Sequence, residues 1–242
     1  MFEGDHIVKS FDQELNQLRG MIAEMGGLVE NQVALATQAM MTQAAEQAAQ
    51  AVAQDAAVDA IQARTEQLVI TMLALRQPMA GDLRQIVAAL KITSAMERIG
   101  DYAKNVAKRS IVLSQFRLPF SLTGLAAMAR LVQENLKLVI DAIGENDADK
   151  ALKAWKADAA IDDLYNSIFR ELITYMMEDA RSITPCTHLL FIAKNLERIG
   201  DHATNIAETT YYAVTGEQLT EARPKGDASA YAVVRSPDDR GV

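Results

Sequence analysis

Acidic residues recur in pairs four residues apart, two pairs in each half of the chain: Asp55 with Asp59, Glu97 with Asp101, Asp158 with Asp162, and Glu197 with Asp201. On a helix, side chains at this spacing lie about 5–6 Å apart, and like charges so placed repel unless a cation lies between them. All-oxygen ligand sets suit hard cations such as magnesium, manganese, calcium and iron, with zinc as a further candidate. The spacing therefore indicates candidate metal sites.

Acidic pairs of this kind also occur on helix faces that simply contact water. For one pair alone, a solvated face is the better interpretation. Both the Asp-x-x-x-Asp pair and the Glu-x-x-x-Asp pair, however, recur in both halves. With this recurrence, a metal site and a solvated face become equally good interpretations. The pattern leaves the identity of the metal open.

The two halves of the chain carry related sequences. The segments at residues 90–107 and 190–207 are identical at ten of 18 positions, and both contain Glu-Arg-Ile-Gly-Asp. The helix before each segment matches more weakly, through the Asp-x-x-x-Asp sequences at 55–59 and 158–162. The chain is therefore predicted to be a tandem duplication.

Helical periodicity and the scarcity of proline and glycine predict an all-α fold. The predicted helices cover residues 6–43, 48–76, 81–114, 121–144, 148–179 and 187–215. Duplication with three helices per half favours two pseudo-symmetric three-helix bundles, and a fused six-helix core is the alternative. The predicted domains are residues 1–117 and 118–216, followed by a loose tail at 217–242.

Within the repeated helix, apolar residues alternate spacings of four and three and predict the buried seam. The seam residues are Ile92, Met96, Ile99, Ala103 and Val106, and in the second half Ile192, Leu196, Ile199, Ala203 and Ile206. The helical wheel places the Glu and Asp of each motif opposite this seam, so they are expected at the surface. Gly100 and Gly200 lie mid-helix, where close approach of a neighbouring helix is the favoured explanation and ligand access to the backbone the alternative.

Composition excludes several classes of protein. A net charge of −8 argues against direct binding to nucleic acid, which requires clustered Lys and Arg. The single cysteine, Cys186, cannot form an internal disulfide, and the first residues lack the pattern of a signal peptide. No apolar run is long enough to span a membrane, so a cytoplasmic protein is expected, with any membrane role exerted through partners.

The sequence offers little for catalysis. Di-iron bundles need paired Glu-x-x-His motifs, and the chain has only one, at residues 3–6. Gly-rich phosphate loops, zinc-protease motifs and nucleophile elbows are absent from the sequence. His202 is interpreted as a surface or capping histidine rather than a metal ligand, and Cys186 as an inert buried thiol.

The doubled motif resembles the PhoU family of phosphate-uptake regulators. The resemblance rests on residues 96–101 and 196–202, on the two preceding Asp-x-x-x-Asp sequences, and on the segment at 175–183, and it covers residues 5 to 216. It implies two three-helix bundles of a spectrin-repeat-like kind with carboxylate-bound clusters of iron or zinc, manganese or magnesium being further candidates. By position, the implied ligands are Asp55, Asp59, Glu97 and Asp101 in the first half and Asp158, Asp162, Glu197 and Asp201 in the second.

The resemblance further implies a negative regulator of phosphate uptake and of the phosphate-starvation response. Such a protein would act between a phosphate transporter ATPase and a sensor histidine kinase, and a homodimer is expected. Two alternatives stay open on the residues alone. The carboxylates could serve a di-metal phosphatase or oxidase, or His202 could carry a phosphoryl group.

Overall fold

The computed structural model describes residues 3–118 and 121–220, with side chains from residue 11 onward. These residues form six α-helices and one short 3₁₀ helix, with no strand among them. The helices are α1 (Glu3–Thr42), α2 (Ala45–Arg76), α3 (Ala80–Leu113), α4 (Thr123–Glu145), α5 (Ala148–Glu178) and α6 (Ile183–Thr215), and the 3₁₀ helix is Ala180–Ser182.

The predicted number and order of helices are confirmed. The largest error is at the start of α6, which begins at Ile183 rather than residue 187 and includes Pro185. Proline is tolerated there because the first-turn N–H groups of a helix have no partner within the helix. Of the predicted tail, residues 221–242 lie outside the described part, as do the side chains of the Glu-x-x-His sequence at 3–6.

Local chemistry ends the helices where the sequence predicts breaks. Gln77 follows α2 and Asn146 follows α4, with left-handed φ values of 48° and 52°. Asn tolerates this conformation better than most residues, whereas a long side chain such as Gln pays a steric cost. Asp147 caps α5, because its side chain accepts a hydrogen bond from the Lys150 N–H at 2.9 Å.

Helices α1, α2 and α3 pack on one another, and α5 and α6 pack together with α4. The all-α fold of two three-helix bundles is therefore confirmed. Helix α3 also lies along α6, α1 and α6 contact α4, and the buried apolar residues of both halves form one continuous cluster. The predicted domain limits, 1–117, 118–216 and 217–242, stay predictions.

The seam prediction holds in detail. All ten predicted seam residues are buried, and those of α6 have no exposed surface. Because α3 and α6 are the repeated helices and lie against each other, the two Glu-Arg-Ile-Gly-Asp motifs are carried on adjacent helices at the centre of the molecule. No helix in the described ranges has both the length and the apolar character needed to cross a membrane.

Both motif glycines mark close approaches of a neighbouring helix. A Cβ on Gly200 would lie 3.0 Å from Ile161 Cδ1 of α5, and a Cβ on Gly100 would lie 3.4 Å from Val58 Cγ1 of α2. The favoured explanation for these glycines is confirmed. They bring the helix that carries Glu and Asp against the helix that carries the Asp-x-x-x-Asp pair.

Candidate functional site

The first acidic cluster consists of four carboxylates on two neighbouring helices. Helix α2 contributes Asp55 and Asp59, and α3 contributes Glu97 and Asp101. Asp55 is buried, Glu97 and Asp101 are half-buried, and Asp59 is exposed. The helical wheel fixed the face of each helix, and the structure adds that the two faces meet.

The pKa values of Glu97 and Asp59 are raised by burial and by their acidic neighbours. Burial raises the pKa of Glu97, and the charges of Asp101, Asp59 and Asp55 raise it further, while Arg98 opposes them. Desolvation also raises the pKa of Asp59, followed by the charge of Asp55. Burial and neighbouring negative charge thus both disfavour the ionised forms of Glu97 and Asp59.

A lysine supplies part of that charge. The Lys104 ammonium donates to Asp55 Oδ2 at 2.5 Å and to Asp101 Oδ1 at 2.6 Å, and so links α2 to α3. Burial alone would lower the pKa of Lys104, but the hydrogen bonds to Asp101 and Asp55 outweigh burial and raise it. Lys104 was missed by the sequence argument, although its position three residues after Asp101 is the spacing of a helical ion pair.

A glutamine from α1 completes the surroundings of Asp55. Gln32 has no exposed surface, and its Nε2 donates to the Ala51 carbonyl at 3.0 Å and lies 3.4 Å from Asp55 Oδ1. Its Oε1 has no hydrogen-bond partner and lies 3.0 Å from where a Cβ on Gly100 would be. No sequence motif pointed to Gln32, because its role arises from packing between helices distant in sequence.

The second acidic cluster is more deeply buried than the first. Asp158, Asp162 and Glu197 are 1%, 3% and 5% exposed, and Asp201 is half-buried. Asp158 Oδ1 would lie 3.4 Å from a Cβ on Gly200, which places this carboxylate directly against the motif of α6.

The expectation that the motif carboxylates lie at the surface is therefore wrong for Glu197, and the paired aspartates of α5 are buried as well. The reason is packing against α5: Lys194, which donates to Glu197, lies over the Tyr165 ring of α5, so this side of α6 is covered. A helical wheel shows only the faces of one helix and does not show which of those faces a neighbouring helix covers.

Basic side chains accompany the second cluster too. Lys194 donates to Glu197 Oε1 at 2.9 Å, and its ammonium lies 4.8 Å from the centre of the Tyr165 ring. Arg198 and its counterpart Arg98 extend toward the Glu that precedes each of them, at 3.8 and 3.5 Å. The prediction that these arginines pair with nearby carboxylates is confirmed, and both are largely exposed.

The donor chemistry of the clusters, carboxylates with one neighbouring amide, fits a hard cation. Among the side chains of residues 11–118 and 121–220, no three or more of His, Cys, Asp or Glu lie together as the ligands of a bound metal would. In the first half, the Lys104 ammonium lies between Asp55 and Asp101, where a cation would otherwise neutralise both. The eight predicted ligands stay a prediction.

His202 packs against its counterpart in the repeat. Its ring centre lies 5.6 Å from that of Tyr102, so the two motifs touch where α3 meets α6. Further along the same helix pair, the Arg109 guanidinium lies 4.0 Å from the Phe191 ring centre and 3.5 Å from His188 Nδ1. His202 is half-buried in this contact and lies in the middle of α6, so it does not cap a helix. That it is not a metal ligand stays a prediction.

The lone cysteine is buried without exposed surface, and burial raises the pKa of its thiol to about 11. A thiol with such a pKa is protonated at neutral pH and is a poor nucleophile. The prediction of a buried thiol is confirmed, and its lack of reactivity stays a prediction.

Comparison with known proteins identifies the family of this chain. The family model described as the PhoU domain matches twice, at residues 22–110 and 125–210. The chain belongs to the PhoU family. The first match runs from the middle of α1 through most of α3, the second from α4 through most of α6, and each includes one acidic cluster.

Named members of the PhoU family match over nearly the whole chain. A phosphate-specific transport system accessory protein PhoU homolog from Caulobacter vibrioides is 49% identical, over 92% of this chain and 97% of that protein. The protein named PhoU from Serratia marcescens is 35% identical, over 88% of each chain.

Solved PhoU structures share the fold. The crystal structure of PhoU from Pseudomonas aeruginosa is 38% identical with a TM-score of 0.84, covering 86% of this chain and 100% of that one. The phosphate transport system regulatory protein PhoU from Streptococcus pneumoniae is 30% identical with a TM-score of 0.79, covering 87% and 100%. The resemblance drawn from the doubled motif is confirmed.

Proposed function

We propose that this protein is a negative regulator of phosphate uptake and of the phosphate-starvation response. The observation that carries the proposal is the match along almost the full length of both chains to proteins named as accessory or regulatory components of phosphate transport. Such a match includes both repeats and both acidic clusters. The function therefore concerns the whole molecule rather than one shared module.

The regulator acts by contact with other proteins. It lies in the cytoplasm between the ATPase of a phosphate transporter and a sensor histidine kinase, and holds the kinase inactive while phosphate is plentiful. The net charge of −8 supports protein partners over nucleic acid. The buried cysteine and the absence of nucleophile motifs in the sequence support a role without catalysis.

The acidic clusters serve as metal sites of this regulator. Asp55, Asp59, Glu97 and Asp101 hold metal in the first half, and Asp158, Asp162, Glu197 and Asp201 in the second, with iron or zinc as the leading candidates and manganese or magnesium as further ones. Bound metal supplies positive charge that offsets the repulsion among carboxylates from two helices. In the first half, the Lys104 ammonium must first leave Asp55 and Asp101.

Deletion of the gene tests the regulatory function. A reporter of the starvation response is measured at high phosphate in the parent, in the deletion strain and in the complemented strain. We expect the response to be active in the deletion strain and silent in the other two. A reporter that stays repressed in the deletion strain contradicts the proposal.

A pull-down tests the partners separately. The tagged protein, at native expression level and high phosphate, should retain the transporter ATPase and the kinase. Retention of neither contradicts action by direct contact. Light scattering of the purified protein tests the expected homodimer, with a monomer mass as the contrary result.

Metal analysis tests the site assignment. The native protein is compared with the double variant Glu97→Gln/Asp101→Asn, which keeps side-chain size but removes two negative charges. We expect the variant to lose the metal of the first half, and an unchanged metal content would show that the ligands are assigned wrongly. Hydrolysis of a phosphomonoester or consumption of dioxygen by the metal-loaded protein would favour an enzyme over a regulator.

A further inference from the structure

The ammonium of Lys104 occupies the middle of the first acidic cluster. It contacts one carboxylate oxygen from each of two helices, Asp55 Oδ2 at 2.5 Å and Asp101 Oδ1 at 2.6 Å. The Lys104 side chain is only 23% exposed, so the contact is partly shielded from water and salt. One positive charge of the chain itself thus neutralises the same pair of groups that a metal ion would.

The surroundings of Asp55 are also filled by the chain. Asp55 Oδ2 accepts from Lys104, and Asp55 Oδ1 lies 3.4 Å from the Gln32 amide nitrogen. A metal ion that bound Asp55 would have to displace the Lys104 ammonium, because both cations need the same carboxylate oxygens.

The cluster nevertheless offers a ligand that the ammonium leaves unused. Gln32 is fully buried, and its Oε1 has no hydrogen-bond partner although it lies beside Gly100, in the middle of the motif. A buried acceptor without a partner carries a cost of about 1–3 kcal/mol. The Gln32 amide lies beside Asp55 through its nitrogen, so its oxygen would add a neutral ligand to the carboxylates of the cluster. All-oxygen ligand sets are what divalent cations such as Mg²⁺ and Mn²⁺ prefer.

The second half does not repeat this lysine. The residue that matches Lys104 is Thr204, which is buried and donates to the Gly200 carbonyl of its own helix at 3.1 Å. The second cluster takes its ammonium from Lys194, three residues before Glu197 rather than three residues after the aspartate. Duplication has kept the carboxylates of the motif but not the position of the positive charge.

We propose that Lys104 is a tethered cation that competes with divalent metal ions for the first acidic cluster. Metal and ammonium then exclude each other, and entry of the metal releases Lys104 from Asp55 and Asp101. This inference rests on the metal site of the proposed function. It adds that occupancy of the first site is set by a lysine that the second site lacks at the matching position.

The test is a titration of the full-length, chelator-treated protein with Mn²⁺. Binding is measured by calorimetry and by the electron paramagnetic resonance signal of free Mn²⁺. Lys104→Met removes the ammonium and keeps the aliphatic stem. Lys108→Met is the matched control, since it removes an equal charge from an exposed position one turn further along α3. We expect Lys104→Met to bind Mn²⁺ at least about tenfold more tightly than the wild type, and Lys108→Met to change affinity far less.

Two more variants assign the effect to this cluster. Lys104→Arg keeps the positive charge and should keep affinity near that of the wild type. Lys104→Met/Asp101→Asn should lose the gain, because Asp101 is then no longer a negatively charged ligand. Equal affinity of Lys104→Met and the wild type, or an equal gain in Lys108→Met, overturns the proposal.

A measurement on the wild-type protein avoids any question of variant folding. Acetylation of Lys104 by a water-soluble reagent is followed by mass spectrometry with and without saturating Mn²⁺, with Lys108 as the internal control. Competition predicts faster acetylation of Lys104, relative to Lys108, when Mn²⁺ is bound. An unchanged or slower relative rate overturns the proposal, and neither experiment depends on the regulatory function, which is tested in cells.

Discussion

At the scale of the residue, the glycine of each repeated motif sets the distance between two acidic helices. A Cβ on Gly200 would lie 3.0 Å from Ile161 Cδ1, and Ile161 is itself 1% exposed and cannot move into solvent. Gly27 of α1, by contrast, has nothing within 4 Å of its Cβ position. Both glycines lie within helices, so the cost of glycine in a helix is similar and only the surroundings differ.

Alanine substitution should therefore act in opposite directions at the two positions. Gly27→Ala should raise the free energy of unfolding by about 0.5–1 kcal/mol, because alanine favours the helix. Gly200→Ala should lower it by about 1–3 kcal/mol, because the added methyl overpacks the contact with α5. Urea unfolding of both variants checks this, and equal stabilisation by the two would show that the α5–α6 contact can relax.

The buried thiol of Cys186 should make the stability of the protein depend on pH. Burial raises the pKa of its thiol to about 11, above the value of about 8.5 for an unfolded cysteine. The folded state therefore holds the proton more tightly, and this contribution to stability is complete below about pH 8.5 and is lost as the pH rises toward 11.

Cys186→Ala, which has no thiol to ionise, is the comparison. The wild type should be more stable than the variant at pH 8, and the difference should shrink by roughly 1–3 kcal/mol by pH 11. Urea unfolding at several pH values measures it. A difference that stays constant with pH would show that the thiol does not titrate in this range.

At the scale of the element, the sequence predicted the properties that depend on one helix alone. It missed those that depend on how neighbouring helices pack against it. The seam of α3 and α6 and the number of helices follow from periodicity, which is a property of one segment. The burial of Glu197 depends on α5 lying against α6, and the contact of Lys104 with Asp55 depends on α2 lying beside α3. Such facts require the arrangement of helices, which spacing along the chain does not contain.

Side chains that no motif marked also contribute to the contact between α3 and α6. Arg109 of α3 stacks on Phe191 of α6 at 4.0 Å and approaches His188 at 3.5 Å. Burial lowers the pKa of Arg109, as expected for a guanidinium partly removed from water. The stacked ring and the apolar stem of Arg109 compensate for this loss of hydration.

Arg109→Ala should lower the free energy of unfolding by about 1–2 kcal/mol, because it removes both the stacking and the packing of the stem. Lys108→Ala, at the neighbouring exposed position, should change it by less than about 0.5 kcal/mol. Chemical unfolding of both variants measures the difference. Equal effects would mean that Arg109 contributes only its charge.

At the scale of the whole molecule, the duplication has produced two bundles but one core. The buried apolar residues of α1–α3 and α4–α6 belong to a single cluster, and α3 and α6 lie against each other in its centre. Each half alone would expose the face that it now buries against the other. Because apolar burial is the main source of stability, neither half should be stable to the extent of the intact chain.

The shared core predicts one cooperative unfolding transition for the whole chain. Ile99 and Ile199 occupy the same position of the two repeats and have no exposed surface, so Ile99→Ala and Ile199→Ala should each cost about 2–5 kcal/mol. If the core is one unit, either variant lowers the midpoint of the same single calorimetric transition, and the van't Hoff and calorimetric enthalpies agree. Two transitions, with each variant lowering the midpoint of only one of them, would instead show that the halves fold independently. The α3–α6 contact would then be an interface between two domains that are stable on their own.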